Sequence, residues 1–172
     1  QNVILTYDGA TKLVDFGIAK AEGRLHETRA GLIKGKFAYM SPEQVDAREL
    51  DGRSDLFALA EVIYELLLRR HPFYAAADME VLRKVLDEDP PDPRELEPTF
   101  PEVPAQVLMR ALAKRPEDRY PSADAMATAL GEWLRTRPRR PTSGDLAAFV
   151  RWLFADRLDE EERARRREDD AA

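Results

Sequence analysis

The spacing of apolar and polar positions changes several times along the chain, and each change marks an element. Residues 3–6 (Val-Ile-Leu-Thr) and 11–14 (Thr-Lys-Leu-Val) are short β-prone runs. Between them, Tyr7-Asp8-Gly9-Ala10 carries an Asp-Gly pair, a hairpin signal because such turns need positive φ. Strand, turn, strand is therefore predicted. From Gly17 to Lys36 the periodicity disappears and Gly23, Gly31 and Gly35 recur, which reads as a long loop, of the functional or the disordered kind.

Helical spacing then takes over. Arg53-Ser54-Asp55 precede a dense apolar run from Leu56 to Leu68, with Ser54 or Asp55 as the expected N-cap. A helix apolar on nearly all sides is expected at the centre of a domain. Arg69, Arg70 and Pro72 mark its end. Met79–Leu86 and Val103–Ala113 carry further helical patterns, separated by a proline- and acid-rich connection over residues 89–104. Ser122 is placed to cap a helix running through Met126, Ala129, Leu130, Trp133 and Leu134. A Pro/Arg linker follows at 137–144. An amphipathic helix then opens at Gly144-Asp145 with Leu146, Phe149, Val150, Leu153 and Phe154. The apolar face of Phe149, Trp152, Leu153 and Phe154 is expected to pack on the lobe, with docking of a partner as the alternative. The mixed-charge run from Asp156 to Ala172 reads as a solvated helix or a disordered end.

Composition narrows the class. Of 172 residues, 44 % are hydrophobic and 35 % charged, a balance that supports a packed core. The formal net charge of -6 argues against nucleic acid as a partner. The absence of cysteine excludes disulfides, thiolate metal sites and a cysteine nucleophile. The run around Leu56–Leu68 is too short, and too interrupted by Glu61 and Glu65, to span a bilayer. No membrane segment or signal peptide is expected, and the localisation expected is cytoplasmic. The chain opens on Gln rather than Met and is expected to begin inside a longer protein.

The chemistry lies in an ordered set of motifs. Asn2, an apolar strand, a turn, a second strand and Asp15-Phe16-Gly17 come first; Tyr39-Met40-Ser41-Pro42-Glu43, Asp55 and Pro116-Glu117-Asp118-Arg119-Tyr120 follow. Together they resemble the C-terminal lobe of bacterial-type serine/threonine protein kinases. The resemblance covers residues 1–136, with 137–144 a linker and 145–172 a tail. It implies an α+β, mainly α fold: a β-hairpin followed by a helical bundle, without the ATP-binding lobe.

The resemblance also assigns roles. Asn2 and Asp15 match the ligands of Mg²⁺, whose preference for hard oxygen donors suits an amide and a carboxylate holding the metal against ATP phosphates. Phe16 and Gly17 match the switch and turn positions. Glu43 matches the acid that pairs with a buried arginine, here Arg119. Asp55 matches the aspartate that braces the catalytic loop. Thr28, near Arg24 and Arg29, is a candidate phosphorylation site in the activation segment. His26 and His71 are expected to be structural.

Lys36 departs from the family pattern, standing where a threonine is usual. It is expected to supply charge otherwise given by a catalytic-loop lysine, in which case the position three residues before Asn2 lacks lysine. The catalytic aspartate is expected five residues before Asn2, upstream of the chain. The implied activity is transfer of the ATP γ-phosphate to serine or threonine hydroxyls of protein substrates, by the longer protein and not by these residues alone. The alternative is a catalytically inactive kinase-like module that binds or regulates a partner. Either way, one side of the Leu56–Leu68 helix is expected to lack its usual cover.

Overall fold

A computed structural model describes residues 2–14 and 39–169. The described residues divide into two compact units: 2–14 with 138–169, and 39–137.

In the first unit, β1 (Val3–Leu5) and β2 (Thr11–Leu13) pair antiparallel, with Val3 opposite Leu13 and Leu5 opposite Thr11. The predicted turn forms around Thr6. Its hydroxyl donates to the Ala10 carbonyl at 2.9 Å and accepts from the Ala10 N–H at 3.0 Å. Gly9 takes φ 81°, the left-handed geometry in which a Cβ is strained. A Cβ there would also lie 1.9 Å from the Ser143 carbonyl oxygen. Ser143 begins α7 (Ser143–Leu153), which is capped by Thr142 and followed by α8 (Ala155–Asp169). Arg151 Nε donates to the Tyr7 carbonyl at 2.9 Å, and the Tyr7 and Phe154 rings meet edge to face.

The apolar residues of this tail helix differ in exposure. Val150 is the buried residue of α7, whereas Trp152 is 73 % exposed and Phe149 and Leu153 about half. The helix spends its contacts on the hairpin turn, so only the side bearing Val150 and Arg151 is engaged. The charged run after it is a helix with Arg157–Glu161 and Arg166–Glu162 pairs one turn apart.

The second unit contains α1 (Pro42–Val45), α2 (Gly52–Leu68), α3 (Asp78–Asp87), α4 (Pro93–Leu96), α5 (Glu102–Ala111), a 3₁₀ turn (Pro116–Asp118) and α6 (Ala123–Arg135). The short helix α4 lies inside the stretch predicted as connection, its first turn capped by Asp92. Leu56, Phe57, Ala60 and Tyr64 of α2 meet Phe73, Val85, Val107, Leu108, Leu112, Tyr120 and Met126 in one core. The other side of α2 is open: Asp55 and Leu59 are exposed, and Leu66 is 73 % exposed. The helix is central on one side and uncovered on the other.

Its N-cap is neither Ser54 nor Asp55. The helix begins earlier, capped by Asp51, whose carboxylate accepts the Arg53 N–H at 2.8 Å and is braced by the Arg53 guanidinium. Ser54 is thereby free to turn inward. At the far end Arg69 adopts φ 53° and closes the helix with its N–H on the Glu65 carbonyl at 2.8 Å.

Candidate functional site

The best-defined polar centre of the second unit forms where α1, the start of α2 and the 3₁₀ turn converge. Ser41-Pro42 starts α1 cleanly: proline at the first helical position sacrifices no hydrogen bond, and the Ser41 N–H donates to Gln44 Oε1 at 2.9 Å. This start directs Glu43 inward. Its carboxylate receives a forked pair from Arg119, Nη1 to Oε1 at 2.7 Å and Nη2 to Oε2 at 2.8 Å. Ser54 Oγ donates to the same Oε1 at 2.6 Å.

Arg119 is 1 % exposed, a position a guanidinium tolerates only when its donors are used. They are. Besides Glu43, Nε donates to the Ala113 carbonyl at 2.8 Å, Nη1 to that of Arg53 at 3.0 Å and Nη2 to that of Lys114 at 3.0 Å. Every guanidinium N–H thus has an acceptor, and its flat face lies 4.8 Å from the Phe57 ring centre. Burial pushes the Glu43 carboxyl up, but the Arg119 and Ser54 donors overcome it and hold the group at about 2. The pairing expected of Glu43 and Arg119 is present.

A second contact ties the same segment to α2. Tyr39 Oη donates to Glu65 Oε2 at 2.7 Å, and partial burial with this acidic partner pushes the phenol up to about 12. Tyr39 also meets the His71 ring edge to face at 5.4 Å. The His71 Nδ1 accepts the Phe73 N–H at 3.2 Å.

At the hairpin, the Val14 N–H donates to the Asn2 carbonyl at 2.9 Å, which closes the strand pair beyond its last ladder residues. The Asn2 side chain is exposed. Asp15, Phe16, Gly17, His26, Thr28 and Lys36, with Arg24 and Arg29, lie outside the described residues. Asp55 is exposed in the first turn of α2. Among the described residues no cluster of three or more His, Asp or Glu side chains could hold a metal by itself, and no helix is long and apolar enough to cross a membrane.

Sequence reasoning missed Ser54 as a donor to Glu43, because a serine before an apolar run reads first as a cap. It also passed over Glu61, which entered only as a charge interrupting an apolar run. That interruption was the available signal: a glutamate inside a stretch that must be buried demands a partner or a proton.

Comparison with known proteins matches residues 1–131 to the protein kinase domain family. The chain is 44 % identical over 156 residues to the tyrosine-protein kinase MasK of Myxococcus xanthus, covering 91 % of this chain and 24 % of that protein. It is 41 % identical over 145 residues to the serine/threonine-protein kinase Pkn1 of Myxococcus xanthus, covering 81 % and 21 %. It is 42 % identical over 127 residues to the DNA damage-responsive serine/threonine-protein kinase RqkA of Deinococcus radiodurans, covering 73 % and 19 %. The chain therefore spans a quarter or less of the length of these relatives.

Proposed function

Since this chain belongs to the protein kinase family, we propose that it is the C-terminal lobe of a protein serine/threonine kinase, from the end of the catalytic loop to about residue 136. The observation that carries the reading is the Glu43–Arg119 clasp. It joins residues 76 apart in sequence, at the two positions where the family resemblance requires an acid and a buried arginine. A solvent-facing coincidence would have produced neither the burial nor the full set of acceptors.

In this reading Asn2 and Asp15 hold Mg²⁺ against the phosphates of ATP. The hairpin fits that role on its own terms: its register sets exposed Asn2, a hard amide-oxygen donor, beside Val14, the residue that precedes Asp15 in sequence. The metal, when bound, offsets charge on the phosphates during transfer. What this lobe contributes is placement. Glu43 and Arg119 fix the segment that follows the activation segment onto α2, and the Tyr39–Glu65 bond fixes its leading end. Phosphoryl transfer depends on positioning and charge, so a segment held at both ends is the appropriate contribution.

The catalytic aspartate belongs five residues upstream of Asn2, so the chain by itself transfers no phosphate. Lys36 takes over the charge of a catalytic-loop lysine, and Thr28 accepts an activating phosphate. The exposed side of α2, with Leu59 and Leu66, is covered in the complete lobe by helices that precede the catalytic loop.

The test is ATP-dependent phosphorylation by the complete protein, with serine/threonine and tyrosine peptides in parallel because one relative is named a tyrosine kinase. Serine/threonine transfer is expected, abolished in N2A and D15A. Transfer by the 172-residue chain alone, or unchanged transfer in both variants, would sink the reading. A complete protein that binds ATP without transfer would favour the inactive-module alternative.

A further inference from the structure

Glu61 sits in the middle of α2, fully buried, and among the described residues neither of its carboxylate oxygens accepts a hydrogen bond. The groups facing it are cationic or polar but already committed. His71 Nε2 is 3.9 Å from Oε1, beyond hydrogen-bond length. Lys114 Nζ donates to the Val85 carbonyl at 2.7 Å and the Lys84 carbonyl at 3.2 Å and lies 4.1 Å from the Phe73 ring centre. Arg119 is saturated by Glu43 and backbone carbonyls. Glu65, one turn along the same helix, adds a like charge.

The state of His71 follows from its other nitrogen. Nδ1 accepts the Phe73 N–H, so it carries no proton, and the neutral ring bears its proton on Nε2, the atom toward Glu61. A charged imidazolium is incompatible with that backbone bond. Glu61 therefore faces no formal countercharge among the described residues that is not engaged elsewhere, and a buried carboxylate that accepts no hydrogen bond from them neutralises rather than remain charged.

We propose that Glu61 is held as a neutral carboxylic acid at neutral pH, and that its ionisation at higher pH loosens the joint between α2 and Tyr39, forming a pH-sensitive latch. The proton goes to solvent. The new carboxylate repels Glu65 at i+4, the acceptor of the Tyr39 hydroxyl. It also faces the His71 ring, whose Nδ1 holds the Phe73 N–H and whose edge-to-face contact with Tyr39 belongs to the same joint. Burial drives the Glu61 carboxyl well above its ordinary range, Lys114 and Arg119 pull it back, and Glu65 pushes it further up. The inference goes beyond the kinase reading and is independent of catalysis.

The folded affinity for the proton exceeds the unfolded one, so this group's stabilisation is complete below about pH 4.3 and is lost as pH rises toward the folded value. The uncharged amide introduced by E61Q mimics the protonated acid. The decisive comparison is therefore wild type against E61Q in the full 172-residue chain, unfolded by denaturant from about pH 5 to 8. The wild-type unfolding constant should rise about tenfold per pH unit relative to E61Q across the part of that range below the folded value. E61Q should be at least as stable at neutral pH. Histidine-selective ¹⁵N spectra, assigned with the H26N variant, should show His71 neutral at that pH with Nδ1 unprotonated. The Tyr39 ring signals should shift with pH in wild type and stay fixed in E61Q over the same range. A flat ratio, a tenfold less stable E61Q at neutral pH, or an imidazolium at His71 there overturns the neutral acid. Tyr39 signals equally pH-dependent in both proteins overturn the latch.

Discussion

Glu43, against the start of α2, and Glu61, within α2, are both buried, and they are held in opposite ways. Glu43 receives donors from Arg119 and Ser54 and stays ionised down to about pH 2. Glu61 is equally enclosed, receives no hydrogen bond among the described residues, and is driven above its ordinary range. Burial is common to both. What separates them is the supply of donors, so the charge of an interior carboxyl is decided by the N–H and O–H groups that the fold aims at it.

One substitution applied at both sites breaks the comparison most sharply. Glu43→Leu strands the Arg119 guanidinium and should cost about 3–5 kcal/mol in denaturant unfolding, with a matching loss in Arg119→Met. Ser54→Ala removes one donor to a charged acceptor and should cost about 1.5–3 kcal/mol, with the Glu43 carboxyl titrating higher in ¹³C-carboxyl spectra. Glu61→Leu should be neutral or stabilising by about 1–2 kcal/mol, because no donor is left without its acceptor. A large loss there would show that Glu61 is a charged partner after all. The pH profiles should also diverge. The depressed folded value of Glu43 means that its contribution is complete above about pH 4.3 and is lost as pH falls through about 2. Thermal melts of the Glu43→Leu variant should show a smaller acid-side decline, with Asp92, held at about 2 by Arg94, still contributing, while retaining the loss toward higher pH from Glu61. As a calibration away from both carboxyls, Arg69→Gly should relieve the left-handed φ of 53° and stabilise by about 0.5–1 kcal/mol.

Most helices of the second unit were legible from apolar spacing, and the hairpin from Asp8-Gly9. Glu43 and Arg119 were legible as a pair through motif order alone, since nothing local in either segment announces a partner 76 residues away. The misses share a cause. Asp51 displaced Ser54 as the N-cap because Ser54 had a tertiary partner, and such a partner leaves no trace in local spacing. Helix α4 was hidden by the prolines at and before its start, although Pro93 sits at a first helical position where proline is tolerated. In the tail the amphipathic face was visible, but periodicity states which residues share a side and not what lies against it.

The manner in which Arg119 is housed bears on how the polypeptide is made. Its acceptors come from Glu43, Arg53, Ala113 and Lys114, so the early acceptors wait until the ribosome has delivered nearly the whole stretch between. Until then Glu43 is an ordinary hydrated acid, and closing a loop of that length carries an entropic penalty that only the finished core repays. Nascent chains truncated before Arg119 should consequently remain protease-sensitive around α1, and those extended past it should acquire protection in a single step.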